Sequence, residues 1–246
     1  MSESSAAAAS AAAPPQPSFW EDVIDIFFQP ARVMRRRQHR SVWPPMLFVA
    51  IGIGVVFFIT FNTLQPIFDA EFTRGMAKVT AANPQLTPEA LDKMRAVQGA
   101  IARYAIGVIM LITMAVLGSI TWLVGKFFGA QQTYHAALVV AAWSYMPRVL
   151  GAVLAGVQGL VMDPSKLNSQ LAISLGPARF LDVDTANPIL YQFLGRFDLI
   201  TIWVTILIGI GMHVTGKLGK GRAIGVAIVM WILGSLPAIR QALLAG

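Results

Sequence analysis

The stretch "AALVVAAWSYMPRVLGAVLAGVQGLV", Ala136–Val161, is apolar for 26 residues and still carries Pro147 and Arg148 side by side near its middle. At 1.5 Å of rise per residue, about 20 residues cross a hydrocarbon core of roughly 30 Å, so the run reads as a membrane span. A proline inside a helix removes a backbone donor and clashes with the turn before it. An arginine at the centre of a lipid-facing helix costs about 2.5 kcal/mol or more. A span that keeps both is expected to be kinked, with its polar cluster turned toward other helices or a wet cavity.

The rest of the chain supports a membrane solvent. Of its 246 residues, 56% are hydrophobic and only 13% charged, against about 25% in an ordinary soluble domain. The mean hydropathy is +0.63. So few charges cannot clothe a water-soluble globule of this length. There is no cysteine, which excludes disulfides and thiolate metal sites. The net charge of +7 is read as topology and contact with anionic lipid, not as a nucleic-acid footprint.

Outward from Ala136–Val161, the hydropathy predicts an all-α, polytopic membrane protein built as a bundle of five spans. These lie at about 44–64, 103–124, 136–161, 194–214 and 223–244 within a membrane domain 44–246. Trp43, Trp122 and Tyr191 are expected at the membrane interfaces. Residues 1–17, rich in Ala, Ser and Pro, read as a disordered tail and not a signal peptide. Residues 18–43 form a separate segment. Ser18 and Glu21 make a capping box, and Trp20, Val23, Ile24, Phe27 and Phe28 follow at helical spacing. Glu21, Asp22 and Asp25 take the other face. Pro30 ends or kinks that helix, and Arg32, Arg35, Arg36, Arg37 and Arg40 follow. An aromatic amphipathic helix joined to a basic stretch is suited to an anionic membrane surface, through Trp20, Phe27, Phe28, Arg35, Arg36, Arg37 and Arg40. It is equally suited to docking on the protein's own spans.

Two longer connections are expected. In 65–102, Thr87 and Pro88 start a helix, which runs into the second span with Glu89 paired to Lys93. The connection 162–192 reads as a partly ordered loop with one short interfacial helix. "GKLGKGR" (Gly216–Arg222) is a tight basic turn between antiparallel neighbours. Counting those at span ends and leaving out Arg148, basic residues number nine on each side, so orientation rests on the arginine cluster alone, which places the N-terminus in the cytoplasm.

Nothing in the chain spells catalysis. His39, His135 and His213 stand on different segments without a ligand partner three or four residues away, and no nucleophile elbow or phosphate loop occurs. No enzyme activity, metal or cofactor is expected. No span has a central Asp or Glu, which argues against a coupled carrier. Asp198 sits at a span edge, where Arg196 or solvent would partner it. His213 is expected to be a hydrogen-bonding packing residue. The candidate site is therefore Trp143, Ser144, Tyr145, Pro147 and Arg148. Pro147 frees the Trp143 carbonyl, and Ser144 and Tyr145 offer hydroxyls to Arg148. That cluster serves structure, or it receives a lipid phosphate or other anion.

Three stretches resemble the Yip domain family in order and spacing. "FFQPARVMRRRQHRSVWPPMLFV" (Phe27–Val49) resembles the entry to the family's first span. "FFGAQQTYHAALVVAAWSYMPRVLGAVL" (Phe127–Leu154) resembles its small-residue turn and third span, and "LGRFDLITIWVTILIGIGMHVTGKLGKGRAIGVAIVMWIL" (Leu194–Leu233) its last two. The resemblance implies five spans, a cytoplasmic N-terminus and no enzymatic activity. The chain lacks the tyrosine-containing acidic-proline motif of members tied to Rab-type GTPases, which argues against such a partner and points to the bacterial branch and a bacterial inner membrane. Two functions stay open: a non-catalytic organiser of lipid, protein partners or a homo-oligomer, and a lipid or small-molecule carrier with a cavity around Arg148.

Overall fold

The computed structural model describes residues 17–236, and among them every regular element is helical. In chain order these are α1 (Phe19–Phe28), α2 (Pro30–Arg37), α3 (Trp43–Ala82), α4 (Pro88–Phe127), α5 (Tyr134–Ser144), α6 (Met146–Val161), α7 (Pro188–Gly195), α8 (Leu199–Thr215) and α9 (Lys220–Leu233). Three single-turn 3₁₀ segments lie between α6 and α7. The expected tail falls almost wholly outside the described residues.

Three units are long and apolar enough to cross a membrane: α3, α4 and the combined Tyr134–Val161. The pair α7 and α8, bent by 55°, makes a fourth if it is taken as one span. α9 has 14 described residues, and the last part of the expected 223–244 span lies outside them.

Local signals set several helix starts. Ser18 Oγ accepts from the Glu21 amide at 3.2 Å while the Glu21 carboxylate accepts from the Ser18 amide at 2.8 Å, a complete capping box. Thr87 accepts from the Ala90 amide at 3.3 Å, ahead of Pro88 at the first helical position. The helix from Thr87 does run into the second span.

The first connection is shorter than expected. α3 does not end near Leu64 but continues to Ala82, through Pro66. Pro66 and Gly75 do not end the helix, which stops only at Asn83–Pro84, and Thr73 and Thr80 bond back to carbonyls four residues earlier at 2.8 Å. α3 and α4 therefore have 40 residues each, about 60 Å of helix against a core of roughly 30 Å. Half of each helix is therefore more than a span needs, and the less apolar halves meet at the end of the bundle away from Trp43. There Arg74 donates to the Asn168 carbonyl and pairs with Asp184 at 3.5 Å, and Glu71 accepts from the Gln170 amide at 3.0 Å. Asp69 pairs with Arg95 at 3.8 Å, while the expected Glu89–Lys93 contact is not among the ion pairs of the described residues. The loop after α6 is thus partly ordered, as expected, and braced against α3. Tyr191 is buried and bonded to Ser169 Oγ at 2.7 Å, not placed at an interface; the loop folds over it.

Helix contacts in the bundle use small residues. A Cβ at Gly211 of α8 would collide with Val140 of α5, and one at Gly118 of α4 would lie 2.7 Å from Leu138. In lipid, where apolar burial alone drives little helix association, such close backbone approach supplies the packing.

Candidate functional site

Two places concentrate unusual chemistry: the N-terminal hairpin and the surroundings of Arg148.

α1 and α2 form an antiparallel helical hairpin with its tip at Gln29–Pro30. Asp22 is fully buried, and both Arg36 and Arg37 pair with it. Arg36 also pairs with Asp25 at 2.6 Å, and Arg37 donates to the Pro17 carbonyl at 3.1 Å. Ile26, Val33 and Met34 are buried in one apolar cluster with Val139, Trp143 and Leu207. The hairpin is therefore docked on the bundle. Its tip goes deep: the Phe27 ring meets Trp203 edge-on at 5.1 Å between centroids. Trp203 stands twelve residues before Thr215 in α8, about 18 Å along the axis. Thr215 lies at the end where the chain enters, since it donates to Gln132 at 2.7 Å and His135 there bonds the Arg40 carbonyl at 2.8 Å.

Of the residues expected at a membrane surface, Phe27, Arg36 and Arg37 turn into the protein. Arg35 and Arg40 are exposed. Trp20 and Phe28 are 64% and 79% exposed, and with Ile24 they form an outward apolar stripe at four-residue spacing. α1 is thus apolar on two faces. Sequence periodicity shows the apolar residues but not which of them another helix covers.

Around Arg148 the third span is interrupted, as expected: Tyr145 alone separates α5 from α6, with Pro147 in the first turn of α6, and Tyr134–Val161 still forms one unit long enough to cross a membrane. The Tyr145 amide reaches the Ala141 and Ala142 carbonyls at 3.2 and 3.3 Å, and the Arg148 amide bonds the Tyr145 carbonyl at 2.9 Å. Trp143 and Ser144 are buried, and Ser144 Oγ has no hydrogen-bond partner. The five residues therefore do not form the expected self-contained cluster. Arg148 donates to neither the Trp143 carbonyl nor the two neighbouring hydroxyls. Its Nη2 reaches Thr201 Oγ1 on α8 at 3.3 Å, and its guanidinium lies 5.7 Å from the centre of the Tyr145 ring. The new N-terminus at Met146 turns the side chain toward α8, which brings Thr201 within reach.

Asp198 is the residue whose role the sequence misplaced. It caps α8: one carboxylate oxygen accepts from the Thr201 amide at 3.0 Å and from its hydroxyl at 3.3 Å, and the other accepts from the Leu175 amide at 2.8 Å. Arg196 points elsewhere, donating to the Trp231 carbonyl at 3.0 Å. An Asp directly before an apolar run is a cap signal and could have been read. His213 behaves as expected, its Nδ1 lying 2.6 Å from the Leu218 carbonyl. Arg148, Thr201 and Asp198 line a cavity of about 540 Å³ between α3, α4, α6 and α8. Among the described residues no group of His, Asp or Glu is arranged to hold a metal.

Comparison with known proteins fits this architecture. The chain is similar to "Membrane protein YknW" of Bacillus subtilis (strain 168), with 28% identity over 199 residues, covering 80% of this chain and 79% of the relative. No solved structure matches it. The Yip1 domain model matches residues 24–239, from the docked hairpin through all the helices that follow, and the chain belongs to the Yip1 domain family.

Proposed function

We propose that this chain is a non-catalytic organiser of the bilayer that works through its N-terminal hairpin. One observation carries the reading. The hairpin enters from one side only, is locked to the bundle by the buried Asp22 ion pairs, and presents Trp20, Ile24 and Phe28 outward. A helical wedge inserted from one side takes up more area in the leaflet it enters than in the other. The exposed Arg35 and Arg40 lie toward the mouth of the hairpin, nearer the headgroups of that leaflet, where each basic side chain contributes about 1 kcal/mol if the lipid is anionic. The setting proposed is a bacterial inner membrane. Protein partners or a second copy would gather on the same scaffold.

Reconstitution tests this. Wild-type protein in vesicles containing phosphatidylglycerol should lower the mean vesicle diameter as the protein-to-lipid ratio rises. The variant with Trp20→Ser, Ile24→Ser and Phe28→Ser should lose that effect while keeping its melting temperature, because the three side chains face outward. Equal vesicle sizes for both proteins would remove the reading.

The same proposal assumes five spans with the N-terminus cytoplasmic, for which the arginine-rich 32–40 stretch is the support. Single cysteines at Ser2 and Gly246 should then be labelled from opposite sides of the membrane. The chain has no native cysteine, so neither label has a background. Both ends labelled from one side would overturn the five-span count.

A further inference from the structure

We infer that the cavity beside Arg148 binds an amphiphile with one anionic headgroup, its headgroup on Arg148 and its chain running toward the outer surface of α4. The proposal is independent of the hairpin's action on the bilayer.

The two charged groups on the cavity wall, Arg148 and Asp198, do not pair directly. Among the described residues no carboxylate lies within ion-pairing distance of Arg148. Its one side-chain hydrogen bond, at 3.3 Å, goes to the Thr201 hydroxyl. Asp198 shares the cavity wall but does not neutralise it. Both of its oxygens already accept from the Leu175 and Thr201 amides, and the positive end of α8 holds its charge in place. Thr201 relays between the two, accepting from Arg148 and donating to Asp198. Arg148 therefore keeps guanidinium donors that no carboxylate takes up, and an anion entering the cavity would accept from them. Ser174 lines the same wall, and its Oγ is buried without a partner, a spare hydroxyl donor for such a headgroup.

The remaining wall is mostly apolar, with Thr60 and Gln170 its other polar residues. Val56 of α3 and Ile106 and Ile109 of α4 line it, and Ala152 and Ala155 of α6 leave it open. Ile109 is 39% exposed on the outer side of α4, so the apolar end of the cavity meets the surface that faces lipid. At about 540 Å³ the space lies within the usual range of ligand pockets, roughly 300–1,000 Å³. One charged pole, one spare hydroxyl and a mostly apolar remainder open to the bilayer describe an acyl chain with a carboxylate or a phosphate at its end.

The test uses the full-length protein in a non-ionic detergent and three labelled probes: oleate, phosphatidylglycerol and the uncharged oleyl alcohol. Saturable binding of oleate or of phosphatidylglycerol is expected, with oleyl alcohol weaker by about tenfold or more, the measure of one charge-assisted hydrogen bond. Binding of oleate alone identifies a free carboxylate amphiphile, and binding of phosphatidylglycerol alone a lipid headgroup; either supports the site. Arg148→Gln should weaken the bound anion by a similar factor. Ala155→Leu, which fills the cavity without touching a charge, should abolish binding at an unchanged melting temperature, and it keeps the test decisive if Arg148→Gln fails to fold. No saturable anion binding, equal binding of the alcohol, or undiminished binding by a folded Ala155→Leu protein would each overturn the proposal.

Discussion

Asp22→Leu should destabilise the protein by about 3–5 kcal/mol, the cost of leaving buried charges without their partner. Asp22 is fully buried between Arg36 and Arg37, whose side chains are only 19% and 23% exposed. Removing the carboxylate leaves Arg37 with the Pro17 carbonyl alone and Arg36 with Asp25 alone. The damage should be local first. Amide exchange across residues 19–37 should accelerate sharply, while the amides in the middle of α3 and α4 stay protected. Asp25 cannot compensate, because it reaches Arg36 but not Arg37. A triple variant separates the charge effect from general damage. Replacing all three residues at once, Asp22→Leu with Arg36→Met and Arg37→Met, removes the charges together and should restore most of the loss, since apolar replacements of buried ion pairs are often neutral or better. Melting temperature in detergent and exchange by mass spectrometry read both proteins. An unchanged exchange pattern in Asp22→Leu would show that the ion pairs do not hold the hairpin.

Trp143→Ala is the second large effect, again about 3–5 kcal/mol. Trp143 is 1% exposed and is the largest fully buried side chain. Its ring lies 5.7 Å from Phe19, so it links α5 to the docked hairpin. Within lipid the loss is mostly of van der Waals contact, because the surrounding solvent is as apolar as the core. Trp143→Phe retains much of that contact and should lose far less. Trp143 does not line the Arg148 cavity, so a folded Trp143→Phe protein should bind anions as wild type does. Thermal melting of the two variants beside wild type checks the order; an alanine variant as stable as wild type would show that the hairpin does not lean on this ring.

Asp22 and Trp143 also mark how far the sequence could be read. Features set by neighbours in the chain were legible: the Ser18–Glu21 box, the Thr87–Pro88 start, the all-helical membrane class. Pro147 signalled an interruption, though not that α5 would end outright at Ser144. Features set by distant packing were not legible. Arg148 and Thr201 are 53 residues apart, and no local pattern relates them. Asp22 falls on the polar face of α1 by periodicity, and only the return of α2 makes that face internal. The length of α3 was missed for the opposite reason. The hydropathy falls after Leu64 and Pro66 follows, which together read as an end, yet the helix carries on past the proline to Ala82.

That unequal length among the helices assigns sensitivity to bilayer thickness. α3 and α4 are far longer than any membrane is thick, so a thicker bilayer merely engulfs more of them. α8, with 17 residues, measures about 26 Å and falls short of the roughly 30 Å core. It cannot tilt to fit, because tilting shortens its reach. The 55° bend to α7 is the compliant joint: straightening it lengthens the span, and relaxing it shortens the span. Hydrophobic mismatch costs a fraction of a kcal/mol per Å, and here that cost is concentrated at 196–198. Asp198, which caps α8 and walls the Arg148 cavity, sits in that joint, so any change in the bend would also move a residue of the cavity wall.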